Sequence, residues 1–248
     1  MDRVKNWFSS DSSRGLTLIG LPFGFSLLLL AAPMLLIFFL GFWTQDYLVL
    51  DRSFSLDNYI EAWTEPMYRD LMLRSLGISA AVTLATVMLA YPMAYFISFH
   101  GGNRKALWLF LVTIPFWTSY LLRVFLWKVI LGYNGVLNSA LDWLGMIEEP
   151  LTFILYNANA VIITLTHAWA PFAILPIYVA LEKIDRSYLE AARDLGDGPL
   201  KSFLRITLPL SMTGVVGAAL IIFIPTIGDY VTPKLVGGKD GLMIANMI

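Results

Sequence analysis

From Gly15 to Gln45 the chain runs for 31 residues without a charged side chain, and the hydrocarbon core of a bilayer needs only about 20 apolar residues in a helix. A helix meets that requirement because it satisfies its backbone N–H and C=O groups within the segment, where no water can do so. Uncharged runs recur at Ser75 to Phe99, Ala106 to Leu122, the 32 residues between Glu149 and Glu182, and Ile206 to Gly228. A hydrophobic fraction of 58%, a mean hydropathy of +0.69 and only 14% charged residues agree with them. The expected fold is an all-α integral membrane protein, a polytopic helical bundle with five visible spans in contact with the lipid bilayer. The first run is too long for a removable signal peptide and no small-residue cleavage site follows it, so it should stay as an anchor.

Charge divides the segments between the two sides. Residues 1–15 read as a cytoplasmic tail with Trp7 and Phe8 at the membrane surface, and 16–43 as the first span, entered near Pro22 and containing Pro33. Residues 46–70 carry Asp46, Asp51, Asp57, Glu61, Glu65 and Asp70 against Arg52 and Arg69, and read as an outer loop. A core domain, 71–248, then holds spans at about 73–99, 106–122, 154–181 and 207–230. Ala80, Ala81, Ala85, Ala90 and Ala94 predict that 73–99 lies in the bundle interior. After Leu122, Arg123 and Lys128 sit among apolar residues in a lateral outer segment, with Arg123 expected to snorkel to the interface. Tyr133-Asn134-Gly135 predicts a turn, and Val136 to Met146 an amphipathic helix at the outer surface. Ten of the 17 Lys and Arg fall in the tail, in Arg104-Lys105 and in residues 182–209, which the positive-inside rule places in the cytoplasm.

Residues 183 to 195 space Ile184, Tyr188, Ala191 or Ala192 and Leu195 about one helical turn apart, predicting a short amphipathic helix ended by Gly196. Asp197-Gly198-Pro199 is then a turn into a second helix. The pattern Glu190-Ala191-Ala192, three residues, Gly196, nine residues, then Ile206, Leu208 and Pro209 resembles the cytoplasmic loop of permease subunits of bacterial ATP-binding-cassette importers. The resemblance implies that Glu190, Ala191, Ala192, Leu195, Gly196, Ile206, Leu208 and Pro209 belong to a loop, 182–209, that couples to a separate cassette ATPase subunit. It further implies a second permease subunit, identical or different, and a periplasmic solute-binding protein. Permeases of this kind close with a sixth span, which the sequence after Gly241 is too short to supply, so a fragmentary chain is expected.

Pro115 to Tyr120 with Arg123 and Trp127, the turn Leu131 to Asn138, and Pro225 through Gly238 resemble the spermidine/putrescine branch of these permeases. The residues themselves offer Asp229 and Tyr230 at the outer end of the last span, possible partners in a cation path facing Trp169, since carboxylates and aromatic faces attract ammonium groups. Interfacial anchoring is the other reading of Asp229. His167 is a further candidate within the fourth span. Permeation of another small solute, such as an amino acid, iron or an anion, is the alternative, with a secondary transporter behind it. Cysteine is absent, so disulfides and thiolate metal sites are excluded. Gly237-Gly238-Lys239-Asp240 fails as a phosphate loop, with Asp240 where Ser or Thr would hold magnesium. No enzyme chemistry, cofactor or nucleic-acid partner is expected of the chain.

Overall fold

The structure, a computed structural model, describes residues 11–46 and 49–247; most of the expected tail, with Trp7 and Phe8, lies outside the described residues. The chain forms two compact units, Met1–Arg69 and Asp70–Ile248.

In the first unit, α1 (Asp11–Leu40) contains Pro22 and Pro33. Its large apolar side chains from Pro22 to Leu40 remain exposed within the unit, as suits a helix that is hydrophobic all round and solvated by lipid. The predicted outer loop is more ordered than a loop. β1 (Thr44–Asp46) pairs antiparallel with β2 (Val49–Asp51), the only strands among the described residues, and α2 covers Asp57–Thr64. The Ser55 hydroxyl accepts from Asp57 N at 2.9 Å at the helix start, and Asn58 Nδ2 donates to the Gly41 and Trp43 carbonyls at 3.1 and 2.9 Å.

α3 (Pro66–His100) starts ahead of the predicted span, at a proline that a first helical turn accepts because that turn's N–H groups have no partner. In the second unit it buries a single stripe, Ser75, Ser79, Val82, Thr86, Ala90, Ala94 and Ile97, at spacings of three and four. Ser75 and Thr86 turn their hydroxyls back onto the Leu71 and Val82 carbonyls at 2.8 and 2.6 Å, which satisfies them without water. The expectation of a bundle-interior span is corrected here, since Ala80 is exposed and Leu84, Met88, Leu89 and Met93 face outward. Small residues allow close packing but do not say which side is packed.

The central helix is α7 (Ala158–Glu182), whose Val161, Leu165, Ala173, Ile174, Ile177 and Leu181 are buried. Asn157 Oδ1 caps it by accepting from Ala160 N at 3.1 Å, so it begins after the predicted position 154. Between α3 and α7 the predicted continuous span at 106–122 is broken. α4 (Lys105–Thr113) gives way to a 3₁₀ turn at Ile114–Trp117, and α5 (Tyr120–Ile130) leaves at 86°. Pro115 has no N–H to donate, and extended Thr118 stops the helix while its hydroxyl bonds the Pro115 carbonyl at 2.7 Å. Among the described residues four helices are long and apolar enough to cross a membrane, or five if the bent pair forms one span.

The predicted turn is present, with Gly135 N bonding the Gly132 carbonyl at 2.8 Å, and the amphipathic helix follows as α6 (Val136–Trp143). Arg123 does not snorkel. It is 8% exposed, its Nη1 reaches the Ala168 carbonyl at 3.4 Å, and the right-angle bend turns it toward α7 rather than toward an interface.

After α7 come α8 (Arg186–Asp194), α9 (Pro199–Ser202), a π turn at Phe203–Thr207, and α10 (Leu208–Ile227), with α11 (Val231–Val236) beyond. α10 packs along α7 at a glycine contact. A Cβ added at Gly214 would lie 2.5 Å from the Ala180 Cβ and 2.6 Å from the Pro176 carbonyl oxygen.

Candidate functional site: the loop between α7 and α10

The loop's first helix is capped at both ends by its own sequence. Asp185 Oδ1 accepts from Ser187 N at 2.9 Å, and this bond holds the Asp185 carboxyl below its ordinary pKa near 3.8. A lowered carboxyl pKa means that the cap is in place at neutral pH and is lost only as pH falls through that lowered value. At the other end Gly196 takes φ +85°. Its N–H bonds the Arg193 carbonyl and that of Asp197 bonds the Ala192 carbonyl, both at 2.9 Å, the paired closure of a helix that ends on a left-handed residue.

The predicted apolar face of α8 divides in two. Ile184 and Ala192 are buried against the bundle, whereas Tyr188, Ala191 and Leu195 face outward, Leu195 at 86% exposure. The outward set meets Ile206, Pro209 and Leu210 around an open groove of about 490 Å³. Thirteen residues, a turn among them, separate Leu195 from Pro209, yet both halves of the sequence pattern line one apolar surface. Leu208 is half-buried and does not line the groove. Glu190 points to the opposite side of α8, into a separate pocket with Tyr95, Phe99, Arg186 and Arg193.

Sequence reasoning missed three features here. Asp197 pairs with Arg205 at 3.5 Å across the turn, the π turn leads into the Leu208-Pro209 helix start, and Arg186 donates to the Ser98 carbonyl at 2.9 Å. A charge four positions after Glu182 was the available signal for Arg186; its partner lies 88 residues earlier and left none.

The four candidate residues for a solute path are not gathered at one point. Asp229 Oδ1 accepts from Val231 N at 3.0 Å, capping the start of α11, and its Oδ2 accepts from the Tyr120 hydroxyl at 2.7 Å. With its one hydroxyl hydrogen directed at Asp229, Tyr120 can only accept from the Thr232 hydroxyl, also at 2.7 Å. No hydrogen bond joins Asp229 to Trp169; the partner is Tyr120, missed in the sequence. Tyr230 is 48% exposed. His167 Nδ1 accepts from Trp127 Nε1 at 3.2 Å, an indole partner rather than a hydroxyl or carbonyl. Trp169 Nε1 is buried without a hydrogen-bond partner among the described residues.

Uncharged helices around a hydroxyl-lined core, broken once at a right angle and carrying a capped helix-turn-helix between α7 and α10, define a polytopic membrane transport subunit. The chain belongs to the family of binding-protein-dependent transport system inner membrane components, which it matches over residues 13–248. It is 38% identical over 226 residues to the spermidine/putrescine transport system permease protein PotB of Escherichia coli (strain K12), covering 91% of this chain and 82% of that one. It is 31% identical over 264 residues to the inner membrane ABC transporter permease protein YdcU of the same organism, covering 100% and 83%. Among solved structures it resembles a bacterial alginate ABC transporter in complex with an alginate pentasaccharide-bound periplasmic protein. That match has a TM-score of 0.67 at 18% identity, over 95% of this chain and 80% of the other, and it shows the shared fold. The chain is thus a multi-pass permease component of the inner membrane, in a family defined by transport rather than by catalysis.

Proposed function

We propose that this permease moves a polyamine-like cation and that residues 182–209 dock it onto a separate ATP-hydrolysing subunit, with a second permease and a periplasmic binding protein completing the importer. Residues 71–248 are the permease core, and both the loop and the amino terminus face the cytoplasm. The observation that carries the docking reading is the outward apolar surface of Tyr188, Ala191, Leu195, Ile206 and Pro209, a greasy face in a loop otherwise rich in charge. The pairing of Lys105 with Glu182 at 2.5 Å supports the orientation, because it puts two of the basic segments at one end of the bundle.

Burying a side chain such as Leu195 contributes about 1.5–3 kcal/mol. Leu195→Asp should therefore lower retention of the ATPase on the purified permease by about tenfold or more while leaving membrane yield and thermal unfolding unchanged. Full retention by that variant would remove the docking reading.

The polyamine reading is supported by the 38% identity to PotB and by the Asp229 carboxylate, with exposed Tyr230 next to it, at the end of α10. Asp229 also has a structural duty, capping α11, and two substitutions separate it from a charge role. Asp229→Asn keeps an oxygen for Val231 N but loses the charge; Asp229→Glu keeps the charge but displaces the cap. Uptake of labelled spermidine into proteoliposomes should fall for Asn and be partly kept for Glu, with binding-protein affinity unchanged in both. Equal uptake by Asp229→Asn and the parent, at matched amounts of complex, would leave Asp229 a cap and an anchor.

A further inference from the structure

The end of α3 is gripped from two sides by residues of opposite charge that flank the start of α8. Glu182 accepts from Ser98 Oγ at 3.2 Å and from Lys105 Nζ at 2.5 Å. Arg186 donates from Nη2 to the Ser98 carbonyl at 2.9 Å and lays its guanidinium over the Phe99 ring, 3.8 Å from the centroid. That carbonyl is among the last four of α3, which have no acceptor role within the helix, so an outside donor must satisfy it. A cation is also favoured at this negative end of the helix dipole. Arginine fits the place better than lysine because its plane can hydrogen-bond at the edge while its face stacks on the ring. Ser98 is 1% exposed, so its carbonyl has little access to water as an alternative donor.

The backbone itself joins α8 to α7 and, through the turn, to α10. α3 has no such link. The Arg186 to Ser98 bond is the one hydrogen bond between α3 and α8 among the described residues. α3 has 35 residues, about 50 Å of helix at 1.5 Å per residue, enough to carry a displacement from one membrane face to the other.

We propose that Arg186 is a positioning residue that latches the end of α3 to α8, so that a displacement of α8 by the ATPase moves a third span along with α7 and α10. This rests on the reading of α8 as the docking helix. The latch makes no contact with the docking groove: Arg186 lies on the Phe99 side of α8, and the groove on the Tyr188 and Leu195 side.

The test uses the assembled transporter, with spin labels placed through Met93→Cys on α3 and Asp194→Cys on α8, both exposed positions in a chain that has no cysteine of its own. Pulsed electron paramagnetic resonance reads the distance between them with and without a trapped ATP analogue. In the otherwise unaltered complex the distance should be narrow and the same in both states. With Arg186→Ala it should broaden or shift by about 2 Å or more on trapping, the scale of interface helix movements, while the ATPase stays bound. Arg186→Lys, which keeps a charge and a donor but loses the planar stack, should fall between. A distance in Arg186→Ala as narrow and nucleotide-independent as in the parent would overturn the latch. Loss of the ATPase from Arg186→Ala would also overturn it, assigning Arg186 to docking and leaving the docking reading intact. Retention of the ATPase by Leu195→Asp would remove that reading, and the latch with it.

Discussion

Gly214→Leu is expected to prevent the bundle from assembling, whereas Gly217→Leu three residues later is expected to be tolerated. A Cβ at Gly214 would fall 2.5 Å from the Ala180 Cβ, 2.6 Å from the Pro176 carbonyl oxygen and 3.2 Å from the Ile177 Cα. Two of these are backbone atoms of α7 that cannot rotate away, so α10 would have to lift off the central helix. Overpacking of a fitted core costs about 1–3 kcal/mol, and a contact that separates two backbones lies at the upper end. At Gly217 nothing stands within 4 Å of the added atom. Thermal unfolding in detergent should show a Tm lowered by several degrees or no folded protein for Gly214→Leu, and the parental Tm for Gly217→Leu. Equal Tm values for the two would mean that α7 and α10 do not meet at this glycine.

Gly196→Val is expected to disable transport with the permease still folded in the membrane. The reason is backbone conformation and not space, since nothing lies within 4 Å of a Cβ at Gly196 although its φ is +85°. A side chain in the left-handed region costs about 1–2 kcal/mol, more for a β-branched one. The strain is relieved by opening the turn that sets Ile206 and Pro209 beside Leu195. Asparagine enters that region more readily, so Gly196→Asn should keep most of the uptake that Gly196→Val loses. If both variants transport alike, the turn does not set the geometry of the groove.

Much of the architecture was legible in the sequence because lipid leaves a chain little choice. Where 25 or so residues carry no charge, a helix satisfies the backbone within the segment; Ser75 to Phe99 falls within α3, and all of Ile206 to Gly228 but its first two residues and its last forms α10. The far end of α8 was legible for a similar local reason, since Gly196 closes it through neighbours in sequence; its start lies at Arg186 behind the Asp185 cap, three residues after the predicted 183. Sidedness around a helix was not. The alanines of α3 have the same spacing whether they face a partner or lipid, and only the packed bundle buries Ala90 and Ala94 while leaving Ala80 outside.

Long-range pairing was equally hidden. Asp229 stood out as an acid after 23 uncharged positions, but its partner Tyr120 is 109 residues away. Arg123 looked like a snorkelling cation until a right-angle bend at Ile114–Trp117 turned its helix inward. Local sequence thus determined which stretches are helices and where α8 ends, because those outcomes depend on hydrogen bonds within a few residues and on transfer to lipid. The tertiary structure alone decided which faces meet, that Ile206 and Pro209 join Leu195 in one groove, and that Arg186 holds Ser98. Those contacts depend on the path of the backbone between distant residues, which no spacing within a helix records.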